Sequence, residues 1–204
     1  MILYQDFQIK NCVIIDKEIK FSKGGEKMNK KVLIIASSPR KSGNSDTLAA
    51  EFARGAADAQ HKVEQIFVRD KQINYCTGCE SCFNDKPCPQ KDDMPAILDA
   101  IIGADVIVMA TPVYFYNMNA QMKTLVDRCC ARYTEITSKD FYFIATAAED
   151  TPSAIDGTIA GFREYLRCLD DVNEKGIIGC VGADGRGDVD EEYKVQAYKM
   201  GQNI

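Results

Sequence analysis

Four cysteines fall within thirteen residues of this chain, Cys76, Cys79, Cys82 and Cys88, spaced Cys-x2-Cys-x2-Cys-x5-Cys with Pro89 directly after the last. Thiolates this close repel one another unless a cation or a cluster absorbs their charge. The spacing resembles the compact runs with which one loop wraps an iron–sulfur cube, whereas zinc sites usually draw two thiolate pairs from separate knuckles. Gly78 gives the chain room to curl, and Pro87 and Pro89 stiffen the exit around Cys88. These residues leave open a [4Fe-4S] cluster on Cys76, Cys79, Cys82 and Cys88, thiols that carry no cluster, and zinc or a reversible disulfide.

A second constellation is Ser37-Ser38-Pro39-Arg40-Lys41-Ser42-Gly43-Asn44-Ser45. It follows an apolar run at 31–36 and opens a helical stripe at Leu48, Ala49, Phe52 and Ala56, which Asn44 or Ser45 can cap. A loop leaving a parallel strand into a helix offers backbone N–H groups and the positive dipole end, and the hydroxyls, the Asn44 amide and the Arg40 guanidinium add donors. This suits a terminal monophosphate. Neither Gly-x4-Gly-Lys-Ser/Thr nor Gly-x-Gly-x-x-Gly is present, and Gly182-x-x-Gly185-x-Gly187 has the wrong order for a dinucleotide fingerprint. The bland alternative is a polar turn capping a helix, which the negative charge of Asp46 favours.

The elements that would position both loops alternate along the chain. Strands are expected at 31–37, 63–68, 105–110, 141–146 and 175–181, and helices from 45 and over 92–102, 119–132, 153–169 and 190–200. Five strands alternating with five helices imply an α/β three-layer sandwich with a five-stranded parallel sheet, and both loops lie at carboxyl ends of strands, where such folds place ligands. Residues 28–204 read as one domain carrying the cysteine loop at 76–88. Residues 1–27 alternate weakly and could form a hairpin across an edge or stay loose. The tract 23–28, Lys-Gly-Gly-Glu-Lys-Met, also reads as a translated purine-rich ribosome-binding site, so residues 1–27 are hypothesised to be leader with the native start at Met28. Residues before Met28 in protein made from its own genomic context would disprove that.

Composition narrows the partners. With 204 residues, 46% apolar and 27% charged, the chain suits one globular domain. A net charge of −5 gives no basic excess for nucleic-acid phosphates or an anionic membrane, and no run approaches the roughly 20 apolar residues of a membrane span. Nine cysteines, an odd number with four bunched and no apparent signal peptide, point to reduced thiols in the cytoplasm.

Three stretches in order carry a resemblance: Ser38-Pro39-Arg40-Lys41-Ser42-Gly43-Asn44-Ser45, then Thr111-Pro112-Val113-Tyr114-Phe115-Tyr116-Asn117-Met118, then Gly187-Asp188 before a helix containing Ala197-Tyr198-Lys199-Met200-Gly201. From Lys30 onward the chain resembles the NADPH-dependent FMN reductase family, and the cysteine run resembles its iron–sulfur flavoprotein branch. The resemblance implies a flavodoxin-like fold with FMN at the carboxyl edge of the sheet. It implies Ser38, Arg40, Asn44 and Ser45 at the FMN phosphate, and Pro112, Val113, Tyr114 and Phe115 along the isoalloxazine and ribityl chain. Thr146-Ala147-Ala148-Glu149 would be the third flavin loop, without the glycines that often bring this backbone to the ring. By residue type alone, Tyr114, Phe115 and Tyr116 could equally cover a helix or a subunit contact. A homodimer or a tetramer is implied as well.

The activity so implied is FMN-dependent electron transfer between NAD(P)H or a protein donor and a small-molecule or protein acceptor, through a [4Fe-4S] cluster. Hydride transfer to a flavin needs stacking and orientation, so no catalytic side chain is assigned. The rivals are a cluster-free NAD(P)H:FMN or quinone reductase, a non-catalytic redox-sensing or electron-carrier flavoprotein, and a zinc-stabilised scaffold. His61 reads as solvated and Asp92 as a helix N-cap. Cys12, Cys129, Cys130, Cys168 and Cys180 read as small packing residues.

Overall fold

The computed structural model describes residues 29–84 and 86–204, together with the backbone of a two-residue strand β1 (Cys12–Val13). The expectations for 1–27 otherwise fall outside the described residues. The remaining strands are β2 (Lys31–Ala36), β3 (Lys62–Phe67), β4 (Val106–Tyr114), β5 (Asn117–Met118), β6 (Lys139–Thr146) and β7 (Val172–Cys180). The helices are α1 (Asn44–Asp58), α2 (Met94–Gly103), α3 (Ala120–Arg128), α4 (Asp156–Leu166) and α5 (Glu191–Gln202).

Five strands run parallel in the order β3-β2-β4-β6-β7, as the alternating pattern required. Two short antiparallel strands add to these: β1 on the outer edge of β7, an edge position that was one of the alternatives for 1–27, and β5, which folds back on β4 and was not expected. The buried strands put successive side chains into opposite layers. Leu33 and Ile35 join the core beneath α2, α3 and α4, while Val32 and Ile34 join the core beneath α1 and α5. The chain leaves β2 outward to β3 and returns to β4 on its other side, so the crevice between β2 and β4 is the topological switch point that flavodoxin-like sheets use for ligands.

Helix ends moved from their expected positions. Residues 129–131 and 152–155 are tight 3-10 turns rather than extensions of α3 and α4. β4 runs to Tyr114, so Pro112, Val113 and Tyr114 lie on a strand where a loop was expected. His61 is buried, not solvated: its Nδ1 accepts the Lys30 backbone N–H at 3.1 Å where α1 turns into β3. Among the described residues no helix is long and apolar enough to cross a membrane.

α1 and α5 pack backbone to backbone. A Cβ on Gly55 would lie 1.9 Å from the Tyr198 carbonyl oxygen, and one on Gly201 would lie 2.1 Å from that of Phe52. A glycine inside a helix ordinarily costs about 1 kcal/mol relative to alanine. Here alanine has no room, so Gly55→Ala is expected to destabilise the fold by about 2–3 kcal/mol through forced separation of the helices. Denaturant unfolding measures this, and a neutral or stabilised variant would contradict it.

Candidate functional site

The loop after β2 sets serine hydroxyls and an arginine beside the start of α1. Ser38 Oγ accepts the Arg40 N–H at 3.2 Å and donates to the Arg40 carbonyl at 3.0 Å, closing a tight turn that leaves the Arg40 side chain exposed. Ser45 lies in the first turn of α1 at 1% exposure, and its buried Oγ has no hydrogen-bond partner among the described residues. An orphaned hydroxyl at a helix N-terminus fits a missing phosphate oxygen. Neither Asn44 nor Ser45 caps the helix; Gly43 occupies that position. Asn44 instead donates from Nδ2 to the carbonyls of Ala183 and Gly185, both at 2.9 Å, and accepts the Gly187 N–H at 2.8 Å. It thereby ties the loop after β7 over the phosphate loop, and Arg186 adds a bond to the Lys41 carbonyl.

Two supports escaped the sequence reading. Arg69 Nη1 bonds Asp46 Oδ2 at 2.6 Å and the Ser38 carbonyl at 3.2 Å, so the charge of Asp46 is paired and counts less against an anion. Burial still pushes the Asp46 carboxyl up, with Arg69 opposing. Asn119, fully buried, caps α3 by accepting the Met122 N–H and donates to the Ser37 carbonyl at 2.7 Å. A polar residue before a helical stripe signals a cap, but nothing local says that its amide also reaches the phosphate loop.

Beside that loop stands an aromatic hairpin. Val113 pairs with Met118 and Tyr114 with Asn117, leaving Phe115 and Tyr116 as a two-residue turn with φ of 50° and 59°. Bulky residues in this region cost about 1–3 kcal/mol each, and such strain concentrates where a side chain is being aimed. Phe115 is fully exposed, and Tyr114 and Tyr116 are substantially so. Thr146, at the end of β6, is the register partner of Pro112, which puts the third expected loop next to the hairpin. The Ala147 N–H donates to the Cys180 carbonyl, its carbonyl accepts the Ala183 N–H, and its side chain is buried.

The cysteine loop leaves the same edge one strand over, and its two ends are clamped together. Asp93 accepts the Gln72 N–H at 2.7 Å, Asp92 accepts the Asn74 N–H at 2.9 Å, and Gln90 Nε2 donates to the Tyr75 carbonyl at 2.9 Å. Between these clamps Cys76, Cys79, Cys82 and Cys88 line one pocket, with Gly78 at φ +63° in the turn. Cys76 and Cys79 are exposed; Cys82 and Cys88 are half-buried. Hydrogen bonds from Ser81 lower the Cys79 thiol.

The pocket floor comes from the end of α3, which the sequence reading treated as packing. Cys130 lines the pocket and touches Cys82; burial raises its thiol, and then Cys82 and Cys76 do so further. Cys129, its neighbour, is buried as expected, and burial pushes it up to about 12. Cys180 is buried too, but Cys168 is exposed, and its thiol donates to the Glu164 carbonyl at 3.5 Å. Arg128 contacts Asp92, Asn74 and Cys88. Asp92 does accept the Met94 N–H at 3.1 Å, as a cap would, yet its main partner is Arg128, and Asp93 is the residue preceding α2.

Among the described residues no three His, Cys, Asp or Glu side chains gather closely enough to hold a single metal ion. Tetrahedral zinc would need its thiolates about 3.8 Å apart, given Zn–S bonds of about 2.3 Å. A cube bonds each thiolate to a different iron, and four thiols around one pocket match that donor set in number and type. α3 joins the two regions: its N-cap Asn119 holds the phosphate loop, and its last residue Arg128 holds the cysteine loop, about 14 Å away along the helix.

Residues 30–156 match the model of the NADPH-dependent FMN reductase family. An iron–sulfur flavoprotein of Archaeoglobus fulgidus is 38% identical over 98 residues, covering 48% of this chain and 44% of that protein. One from Methanocaldococcus jannaschii is 40% identical over 98 residues, covering 48% and 51%. The matched segment thus spans about half the length of these relatives. In fold, the chain is similar to an NAD(P)H:quinone oxidoreductase of Methanothermobacter marburgensis, with a TM-score of 0.66 at 16% identity over 86% of this chain and 97% of that one. An azoreductase of Bacillus anthracis superposes with a TM-score of 0.68 at 15% identity, over 86% and 100%.

Proposed function

The chain belongs to the NADPH-dependent FMN reductase family, and on that footing we propose that it is an FMN-dependent oxidoreductase carrying a [4Fe-4S] cluster on Cys76, Cys79, Cys82 and Cys88. It would pass electrons between NAD(P)H or a protein donor and a small-molecule or protein acceptor. Bound FMN supplies exchange between two-electron and one-electron partners, and a bound cluster supplies single-electron transfer. The observation that carries this reading is α3, one short helix whose ends hold the phosphate loop and the thiol pocket. The names of the iron–sulfur flavoproteins support the cluster. The contact between Cys130 and Cys82 favours the second reading, a cluster-free reductase with thiols in that pocket.

The chain's own residues divide the work. Ser38, Arg40 and Ser45 would hold the FMN phosphate, while Asn44 closes the 183–187 loop over it. Pro112, Val113, Tyr114, Phe115 and Thr146 would wall the ring and orient it for a nicotinamide. The full exposure of Phe115 supports a homodimer in which a second copy covers the hairpin.

Ser45 gives a two-sided prediction. Ser45→Ala removes an orphaned hydroxyl, so the cofactor-free variant should be as stable as the native chain or about 1 kcal/mol more so. It should bind FMN about 10- to 100-fold more weakly, because a charge-assisted hydrogen bond is lost. Flavin fluorescence titration beside thermal unfolding reads both, and unchanged affinity would remove Ser45 from the site. For the activity, anaerobic NADPH or NADH should bleach the flavin absorbance of the FMN-loaded protein. Bleaching by neither nucleotide would favour the carrier or sensor role.

A further inference from the structure

Arg128, its side chain 2% exposed, is a buried cation in the lining of a pocket that five cysteines share with Glu80 and Asp127. A buried guanidinium needs acceptors for its fork of donors. Nη1 donates to the Asn74 carbonyl at 2.7 Å and to Asp92 Oδ2 at 2.6 Å, and Nη2 donates to Asp92 Oδ1 at 3.1 Å. These three oxygen contacts fix the plane of the fork and leave Nη2 directed at Cys88 Sγ, 3.6 Å away. Cys79, by contrast, meets neutral groups of its own loop, among them Ser81 Oγ at 3.5 Å.

We propose that Arg128 is a positioning residue for the cluster: its Nη2–H bonds the Cys88 thiolate, holds that ligand in place and raises the cluster's reduction potential. This rests on the cluster reading above. Reduction adds negative charge that spreads onto the thiolate sulfurs, and a charged donor on sulfur stabilises the reduced form more than the oxidised one. Asp92 balances the net charge of Arg128, but the directed N–H remains, so the effect falls on Cys88 rather than evenly on all four ligands. Lysine cannot substitute, because a single ammonium on a flexible stem cannot serve a carbonyl, a carboxylate and a sulfur in one plane.

The test is a redox titration of anaerobically purified native protein and Arg128→Lys, read by electron paramagnetic resonance of the reduced cluster, with iron, FMN and thermal unfolding measured on each sample. At the potential where the native cluster is half reduced, the variant should show about a tenfold lower ratio of reduced to oxidised cluster, equal to about 59 mV for a one-electron couple. A loaded variant whose ratio stays within about twofold would overturn the inference and leave Arg128 as a clamp on the loop ends. Should Arg128→Lys not fold, native protein labelled with 15N-arginine decides instead. Hyperfine coupling of that nitrogen to the reduced cluster is expected, and its absence overturns the inference. Native protein without iron would overturn the cluster reading and this inference together, an outcome distinct from a loaded cluster with an unmoved potential.

Discussion

Replacing Cys79 by serine is expected to strip iron and acid-labile sulfide from the anaerobically purified protein, at least about tenfold, while FMN stays near one per chain. Cys79 is the informative choice because its thiol is exposed and, among the described residues, bonds only neutral groups of its own loop, Ser81 and Thr77 included, so serine should leave folding unchanged. Loss of iron would then report ligation rather than collapse of the loop. Cys130→Ser is the control. It lines the same pocket but lies outside the proposed ligand set, and it should retain the cluster. Equal iron in native protein and Cys79→Ser would remove Cys79 from the ligands; loss in the control would bring Cys130 in.

Asp92→Asn should cost about 3–5 kcal/mol of stability, because it leaves the buried Arg128 guanidinium without its counter-charge. The same pair predicts an acid-sensitive loop. Burial alone would raise the Asp92 carboxyl, but hydrogen bonds from Arg128 and from the backbone of Asn74 and Met94 outweigh it and hold the group at about 2, below its ordinary 3.8. A carboxyl lowered by folding stabilises the folded state above its unfolded value and loses that contribution as pH falls through the folded one. About 2 kcal/mol should therefore disappear between roughly pH 4 and pH 2. Urea unfolding across that range, beside Asp92→Asn, checks both statements. The variant should start lower and lack this component of the slope, whereas parallel curves would contradict the assignment.

Local pattern carried the parallel sheet well. Runs such as Val32-Leu33-Ile34-Ile35 bury both faces and read as a central strand from any direction, and the loops at their carboxyl ends followed from the alternation of elements. The cysteine run and the phosphate loop were legible for the same reason, since each is contiguous. What stayed hidden depends on distant residues meeting. The partners in Arg69–Asp46 are 23 residues apart, those in Arg128–Asp92 are 36 apart, and Asn119 reaches Ser37 across 82. Cys130 reads as packing by the same default as the other four cysteines outside the run; only the turn ending α3 separates it from Cys129 into pocket and core. The hairpin was hidden by type as well as by distance. Phe115 and Tyr116 are poor residues for positive φ, and no Asn-Gly or Asp-Gly signal marks the turn.

The central claim, a flavin and a cluster in one flavodoxin-like unit, is tested most directly by purifying the protein anaerobically and assaying iron, acid-labile sulfide and flavin on one sample beside its absorbance spectrum. About four irons, about four sulfides and about one FMN per chain are expected, with broad cluster absorbance near roughly 400 nm under the flavin bands. Flavin without iron or sulfide would contradict the claim and leave a cluster-free FMN reductase.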